Sequence, residues 1–207
     1  MYYPRIDETV TFRCLKNGLP AYVVHKPGYT RKYAMFATRY GGMDLRFQQD
    51  GAWQDTPAGI AHYLEHKMFD TADGNAMQEM AKNGAEPNAF TSNAMTAYYF
   101  DCTEHFDENL RQLLSFVSMP YFTDESVAKE QGIIAQEIGM IEDDPDWVVF
   151  MDLMQALYEK HPVRVSVAGS AESISHITAE TLYACHKAFY DPSNMVLCVA
   201  GDVDPEK

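Results

Sequence analysis

The chain has 207 residues, 46% of them hydrophobic and 22% charged, enough for one large globular domain or two small ones with a sizeable core. A formal net charge of −14 argues against nucleic acid and anionic membrane surfaces as partners, because their phosphates would be repelled. It is compatible with basic substrates, although solubility alone accounts for it.

No apolar run approaches the roughly 20 residues of a membrane span. The start, Met1-Tyr2-Tyr3-Pro4-Arg5, lacks the basic-then-apolar pattern of a signal peptide. Cys14, Cys102, Cys185 and Cys198 are scattered, with no Cys-x-x-Cys pair. Free, buried thiols in a reducing cytoplasm are therefore expected.

In chain order, residues 8–15 alternate, with Val10, Phe12 and Cys14 on one side, and predict a strand. Asn17-Gly18 predicts a hairpin turn into a second strand over 19–25. A third strand is expected over 33–40, ended by Gly41-Gly42, so that an antiparallel meander opens the fold. Residues 43–55 read as a polar loop. Asp55 or Thr56 is placed to cap a helix whose first position is near Pro57. From Ile60 to Phe69 that helix is apolar nearly all round, which predicts burial.

A short helix over 74–83 ends at Gly84, and a Thr-, Tyr- and Phe-rich strand runs over 94–102. Leu110, Leu113, Leu114 and Val117 mark a helix over 107–118, stopped by Pro120. Thr123 caps a long helix to about Asp143, and Asp146 is expected to cap another over 147–160. A helical turn over 170–175, a helix over 178–190 and a buried strand over 194–200 complete the order. Strands, then helices, then a strand predict one α+β domain spanning 1–207, an antiparallel sheet flanked by helices.

The buried helix carries His62-x-x-Glu65-His66, an inverted zincin pattern. His62 and His66 project from one face, one turn apart, which suits two nitrogen ligands on one zinc ion. Glu65 reaches the same face, where a carboxylate can act as a proton acceptor. A chance pattern of hydrogen-bonded core histidines is the alternative, and a third ligand would decide. On the helix from Thr123 to Asp143, Val127, Ile134, Ile138 and Ile141 form an apolar stripe that Ile133 and Met140 extend. Glu130 and Glu137 fall between these groups, on one line, while Lys129, Gln136 and Asp143 lie on the wet face. The two glutamates are either ligands or edge residues snorkelling outward. An anionic ligand would compensate the charge of a buried zinc.

His62-x-x-Glu65-His66 followed about seventy residues later by the Glu130–Glu137 pair resembles the pitrilysin/insulysin metallopeptidases, a family that includes the mitochondrial processing peptidases. Gly84-Ala85-Glu86-Pro87-Asn88-Ala89-Phe90-Thr91-Ser92 is similar to the family's segment before its substrate-pairing edge strand. His161-Pro162, Gly169 to Ile174 and Tyr190 to Met195 resemble further landmarks in the same order. The segment Glu130–Ile138 with Asp144-Pro145-Asp146-Trp147 looks most like an uncharacterised cytoplasmic branch in Gram-positive bacteria.

The resemblance implies a zinc metalloendopeptidase acting on extended peptides. It makes His62, His66 and Glu137 the zinc ligands and Glu65 the general base. Glu130 joins Glu65 in the catalytic set as support for a ligand histidine. Asn88 and Ala89 become substrate-binding residues at the cleft, where peptide backbone adds beside residues 88–99. Glu142 fits the family's longer spacing by simple count, but it falls off the Glu130–Glu137 line. Family members pair homologous domains in a clamshell, so a second domain or partner chain supplying an arginine and a tyrosine is implied.

Two rivals stand beside this reading. A zinc lyase that cleaves S-ribosylhomocysteine also carries His-x-x-Glu-His, but its third ligand is cysteine, and none lies near position 137. The other rival is a non-catalytic zinc-binding or structural subunit of a peptidase-like complex. His25, His105, His176 and His186 lack ligand spacing and read as surface or capping groups, His161 as structural, and Met77 and Met80 as core.

Overall fold

The computed structural model describes residues 1–206. Strand β1 (Tyr2–Tyr3) pairs with β2 (Glu8–Cys14), which turns through Asn17-Gly18 into β3 (Pro20–His25), and β4 (Lys32–Thr38) follows. Gly18 adopts φ +88°, the left-handed conformation that the Asn-Gly turn exploits.

The expected meander does not form, because β4 does not pair with β3. The last strand, β11 (Met195–Gly201), lies between them, parallel to β3 and antiparallel to β4. Met195, Leu197 and Val199 are buried, and a strand this apolar gains most at the centre of a sheet. Strand β2, beside the two-residue edge strand β1, is correspondingly poorly covered, and Phe12 and Cys14 are exposed.

Residues 43–55 are not a loop. They form a hairpin of β5 (Arg46–Gln49) and β6 (Ala52–Asp55), turned by Asp50 at φ 51° and Gly51 at φ 83°. Asp-Gly with both residues left-handed is the twist-matched hairpin turn. Helix α1 (Ile60–Met68) therefore starts later than Pro57. Asp55 is occupied by Arg46 across the hairpin, and Gly59 stands at the cap with φ 91° and no side-chain cap bond. A Cβ on Gly59 would lie 2.5 Å from the Ala168 carbonyl oxygen. Gly169, at φ +74°, approaches the Ala58 carbonyl oxygen as closely, so two glycines let two backbones touch where α1 begins.

The strands β7 (Asp70–Thr71) and β8 (Gly74–Asn75) make a small ribbon before α2 (Ala76–Lys82), whose N-cap is the Asn75 side chain. Next come β9 (Ala85–Thr91) and β10 (Thr96–Cys102), then α3 (Phe106–Ser118) and α4 (Asp124–Glu142), the latter held by a Thr123–Ser126 capping box. Helix α5 (Pro145–Leu157) is capped by Asp144 rather than Asp146. Pro145 takes the first helical position, where its missing N–H costs nothing, and this sets the cap one residue earlier. Helices α6 (Ala171–Ile174) and α7 (Ala179–Phe189) precede β11.

The main sheet has seven strands in the order β1-β2-β3-β11-β4-β10-β9. One row across it aligns Ala21, Leu197, Phe36, Tyr98 and Ala89, and this face packs on the helices. The opposite row, Tyr22, Cys198, Met35, Tyr99 and Asn88, is half-buried or exposed. The result is the expected α+β architecture, a mostly antiparallel sheet with helices on one face. Met80 is fully buried and Met77 packs against the core, as expected.

On α4, Val127, Ile134 and Ile138 are buried, but Ile133 and Met140 are exposed instead of extending the stripe. The core takes a single line of this helix. His186 is also corrected. It is buried, with Nε2 3.0 Å from the Val117 carbonyl oxygen, to which it donates. Cys102 and Cys185 are buried, Cys198 is half-buried, and all four cysteines are free.

Candidate metal centre

Helix α1 is buried on almost every side, so the polar groups on it need internal partners. His62 and His66 are one turn apart, with ring centroids 4.6 Å apart and planes at 70°. Their open side faces α4. Glu137 sends its carboxylate between the two rings, with Oε1 3.5 Å from His62 Nε2 and Oε2 3.4 Å from His66 Nε2. The ligand atoms of His62, His66 and Glu137 all lie within 4.8 Å of one another.

These separations test the fit to a metal. Two donors each about 2.0–2.1 Å from a tetrahedral zinc lie about 3.4 Å apart. The carboxylate is thus already at ligand-to-ligand distance from both imidazoles. Two neutral nitrogens and one anionic oxygen are a donor set suited to zinc, and three protein ligands leave a fourth position open. The cluster fits a single zinc ion. Glu142 is not part of it.

Glu130 stands one step back. Its Oε1 is 3.1 Å from His66 Nδ1, so it orients that ring and leaves Nε2 for the centre. The hydrogen bond from His66 holds the Glu130 carboxyl below its usual range, against the opposing effect of burial. Burial alone would lower His66, but Glu130, Glu65 and Glu137 outweigh it and the ring is raised. His62 has no such partner. Its Nδ1 is buried and unpaired among the described residues. Burial, helped by His66, pushes His62 down to about 4, which keeps it in the neutral form that a metal ligand needs.

Glu65 is 8% exposed. Its carboxyl is raised, chiefly by burial and also by Glu137, with Thr91 and His66 opposing. Thr91 Oγ1 donates a 2.8 Å hydrogen bond to Glu65 Oε2. Thr91 is a site residue that no motif marks, although it lies within the 84–92 segment. The signal was its position two residues after Ala89, which places both on the core face of β9.

Strand β9 is the edge of the sheet, paired with β10 alone. This corrects the expectation that 84–92 precedes the edge strand, because residues 96–102 lie inside the sheet between β9 and β4. Ala89 packs on the core, and its backbone N–H points off the ladder, bonded at 2.8 Å by Asn88 Oδ1. Asn88 itself is exposed on the open face, in register with Tyr99. Pro87 shares the outward orientation of Ala89 and lacks a donor, as an edge strand tolerates. His62, Glu65, His66, Glu130 and Glu137 are therefore assembled at one place. Asn88 and Ala89 lie on the adjoining edge, about 7–10 Å along the strand from Thr91.

Residues 49–171 match the sequence profile described as insulinase (peptidase family M16), and residues 176–207 match that of the peptidase M16 inactive domain. The second match takes in β11, which lies in the middle of the same sheet. An uncharacterized zinc protease of Bacillus subtilis, YmfH, is 48% identical over 206 residues, covering 99% of this chain and 48% of that protein. An uncharacterized zinc protease of Rickettsia felis is 27% identical over 98% of this chain and 48% of its own length. The chain spans about half the length of the curated relatives it matches. The crystal structure of a putative M16-like peptidase from Alicyclobacillus acidocaldarius superposes with a TM-score of 0.94 at 44% identity, covering 100% of this chain and 48% of that one. A protease from Helicobacter pylori shares the fold, with a TM-score of 0.85 at 21% identity over 96% of this chain and 48% of its own.

Proposed function

The chain belongs to the insulinase family, peptidase family M16, and from that premise we propose that it is the zinc-binding domain of a metalloendopeptidase that hydrolyses extended peptides. One observation carries the reading: the Glu137 carboxylate sits 3.5 and 3.4 Å from the Nε2 atoms of His62 and His66. His62, His66 and Glu137 would hold zinc. When bound, zinc supplies Lewis acidity to the scissile carbonyl and makes water acidic enough to lose a proton near neutrality.

The chain's own residues do the rest. Glu65 accepts the proton at Oε1, its Oε2 being held by Thr91. Its burial favours the protonated form, so it retains that proton long enough to deliver it to the leaving amine. Glu130 keeps His66 turned toward the centre. The open edge of β9 takes up an extended peptide as an added strand, with Asn88 and Ala89 at the pairing edge.

We assign residues 1–207 to one N-terminal domain of a longer chain, and a homologous second domain or partner chain to the other side of the cleft, as the source of the arginine and tyrosine absent here. No helix among the described residues is long and apolar enough to cross a membrane. The scattered cysteines support a cytoplasmic setting.

The test uses the full-length protein. Peptide cleavage is expected to be abolished by a chelator and restored by zinc. Glu65→Gln is expected to keep its zinc and lose roughly a hundredfold or more in kcat. Full activity of that variant with zinc retained removes Glu65 as the base. A wild type that binds zinc and cleaves no peptide favours the non-catalytic subunit.

A further inference from the structure

Tyr63 and Lys67 follow His62 and His66 by one residue each, so a second pair four residues apart runs beside the histidine pair on α1. Both are fully buried. The Tyr63 hydroxyl donates to the Val127 carbonyl oxygen. The Lys67 ammonium donates to the Ser126 carbonyl oxygen at 3.2 Å and pairs with the Asp70 carboxylate. Both carbonyls belong to the first turns of α4. Glu130 lies one turn beyond them, and Glu137 two turns beyond Glu130 on the same line.

A lysine is an unusual choice for a fully buried position, where methionine or leucine would fill the space without removing a charge from water. The contact it makes is directional, and with that of Tyr63 it joins α1 to the backbone of α4, whereas the histidine–glutamate contacts join side chains only. The buried line of α4, Val127, Ile134 and Ile138, is apolar, and the burial of apolar area has no direction of its own. The metal donors need one register. A slip of one residue moves a side chain about 1.5 Å along a helix and about 100° around it, which would separate Glu137 from both imidazoles.

We propose that Tyr63 and Lys67 are positioning residues that lock the register of α4 against α1 and thereby set where Glu130 and Glu137 meet the histidines. The proposal rests on the zinc reading of the site. Neither side chain belongs to the donor set, and each acts through the backbone of α4. Tyr63 fixes the rotation of the first turn and Lys67 its height. Asp70, three residues after Lys67 in β7, holds the ammonium in place.

The experiment compares full-length wild type with Tyr63→Phe and Lys67→Met. It reads the zinc dissociation constant by competition with a chromophoric chelator, the visible absorption of the cobalt(II)-substituted protein, and the thermal unfolding midpoint of the metal-free protein. Each variant is expected to bind zinc about tenfold more weakly, as losses of metal-orienting partners do, with a shifted cobalt spectrum. The metal-free midpoint of Lys67→Met is expected to stay close to wild type, because the buried charge is removed and the Asp70 left behind is 35% exposed to water. Zinc affinity within about twofold of wild type, with an unchanged cobalt spectrum, overturns the proposal. So does an affinity loss matched in both variants by a fall in the metal-free midpoint, which would mean ordinary core packing. Should Lys67→Met fail to fold, Tyr63→Phe, which keeps its ring, decides. A wild type that binds no zinc removes the proposed function instead. The register is then read in metal-free crystal structures, where an unchanged His66–Glu130 contact in Tyr63→Phe overturns the proposal and a broken one supports it.

Discussion

Thr91, on the edge strand β9, donates a 2.8 Å hydrogen bond to Oε2 of Glu65 on helix α1. The strand proposed to take up the substrate thus also fixes the carboxylate proposed to move the proton. Behind it, Thr96 Oγ1 donates to the Tyr40 carbonyl oxygen at 2.8 Å and lies in contact with Thr91 Oγ1 at 3.4 Å. A bond to a charged group is worth about 1.5–3 kcal/mol. Thr91→Val in the full-length protein is expected to lower kcat roughly 10- to 100-fold with zinc content unchanged. Thr91→Ser, which keeps the hydroxyl, is expected to restore most of it. Steady-state kinetics with metal analysis checks both.

The two glutamates that compete for the third ligand position by spacing are separable by substitution. Glu137 lies against both imidazoles, whereas Glu142 is exposed at the end of α4. Glu137→Gln is expected to lose zinc on dialysis, and Glu142→Gln to retain it. Metal content measured on the two purified variants checks this.

Zinc uptake should depend on pH through His66. A ligand imidazole must be neutral, and Glu130, Glu65 and Glu137 raise this ring above its ordinary value despite burial. Protons therefore compete with zinc up to a higher pH than at an unperturbed histidine. Affinity is expected to fall as pH drops, beginning above the ordinary histidine range. Glu130→Leu removes one of the raising carboxylates, so the fall should move to lower pH, while affinity at high pH drops about 10- to 100-fold because Nδ1 has lost the acceptor that orients the ring. Chelator competition across pH 6–9 reads both effects.

Two glycine substitutions are expected to have opposite signs. Gly59 has φ 91°, and a Cβ there would meet the Ala168 carbonyl oxygen at 2.5 Å. Gly59→Ala is expected to cost at least the roughly 1–2 kcal/mol of a left-handed alanine, and more from the clash. Gly132 is inside α4 with nothing within 4 Å of its added Cβ. Gly132→Ala is expected to stabilise by up to about 1 kcal/mol. Thermal unfolding of the two variants checks the contrast.

Local chemistry was legible where one stretch sufficed to state it. Thr123 caps its helix with a side-chain oxygen, and Asn17-Gly18 turns a hairpin, because each needs only neighbours within a few residues. Asp50-Gly51 carried the same hairpin signal inside a segment whose polarity suggested a loop. The misplaced start of α1 had a different cause. Pro57 looked like a first helical residue, but the helix waits for Gly59 because the 168–169 backbone, more than a hundred residues away, packs against it. Ile133 and Met140 failed for a similar reason. Periodicity assigns a face, but the width of that face depends on what packs on it.

By itself, the sequence determined the donor types and their spacing: an imidazole pair one turn apart, a carboxylate between them, and two more carboxylates on one line of a later helix. Helical periodicity is a local property, so these followed without any knowledge of packing. Only the tertiary structure decided that the two helices meet, bringing the favoured Glu137 to the imidazoles, that β11 splits the expected meander, and that β9 is the free edge beside Glu65. Each depends on contacts between distant stretches, which the spacing of residues along the chain does not encode.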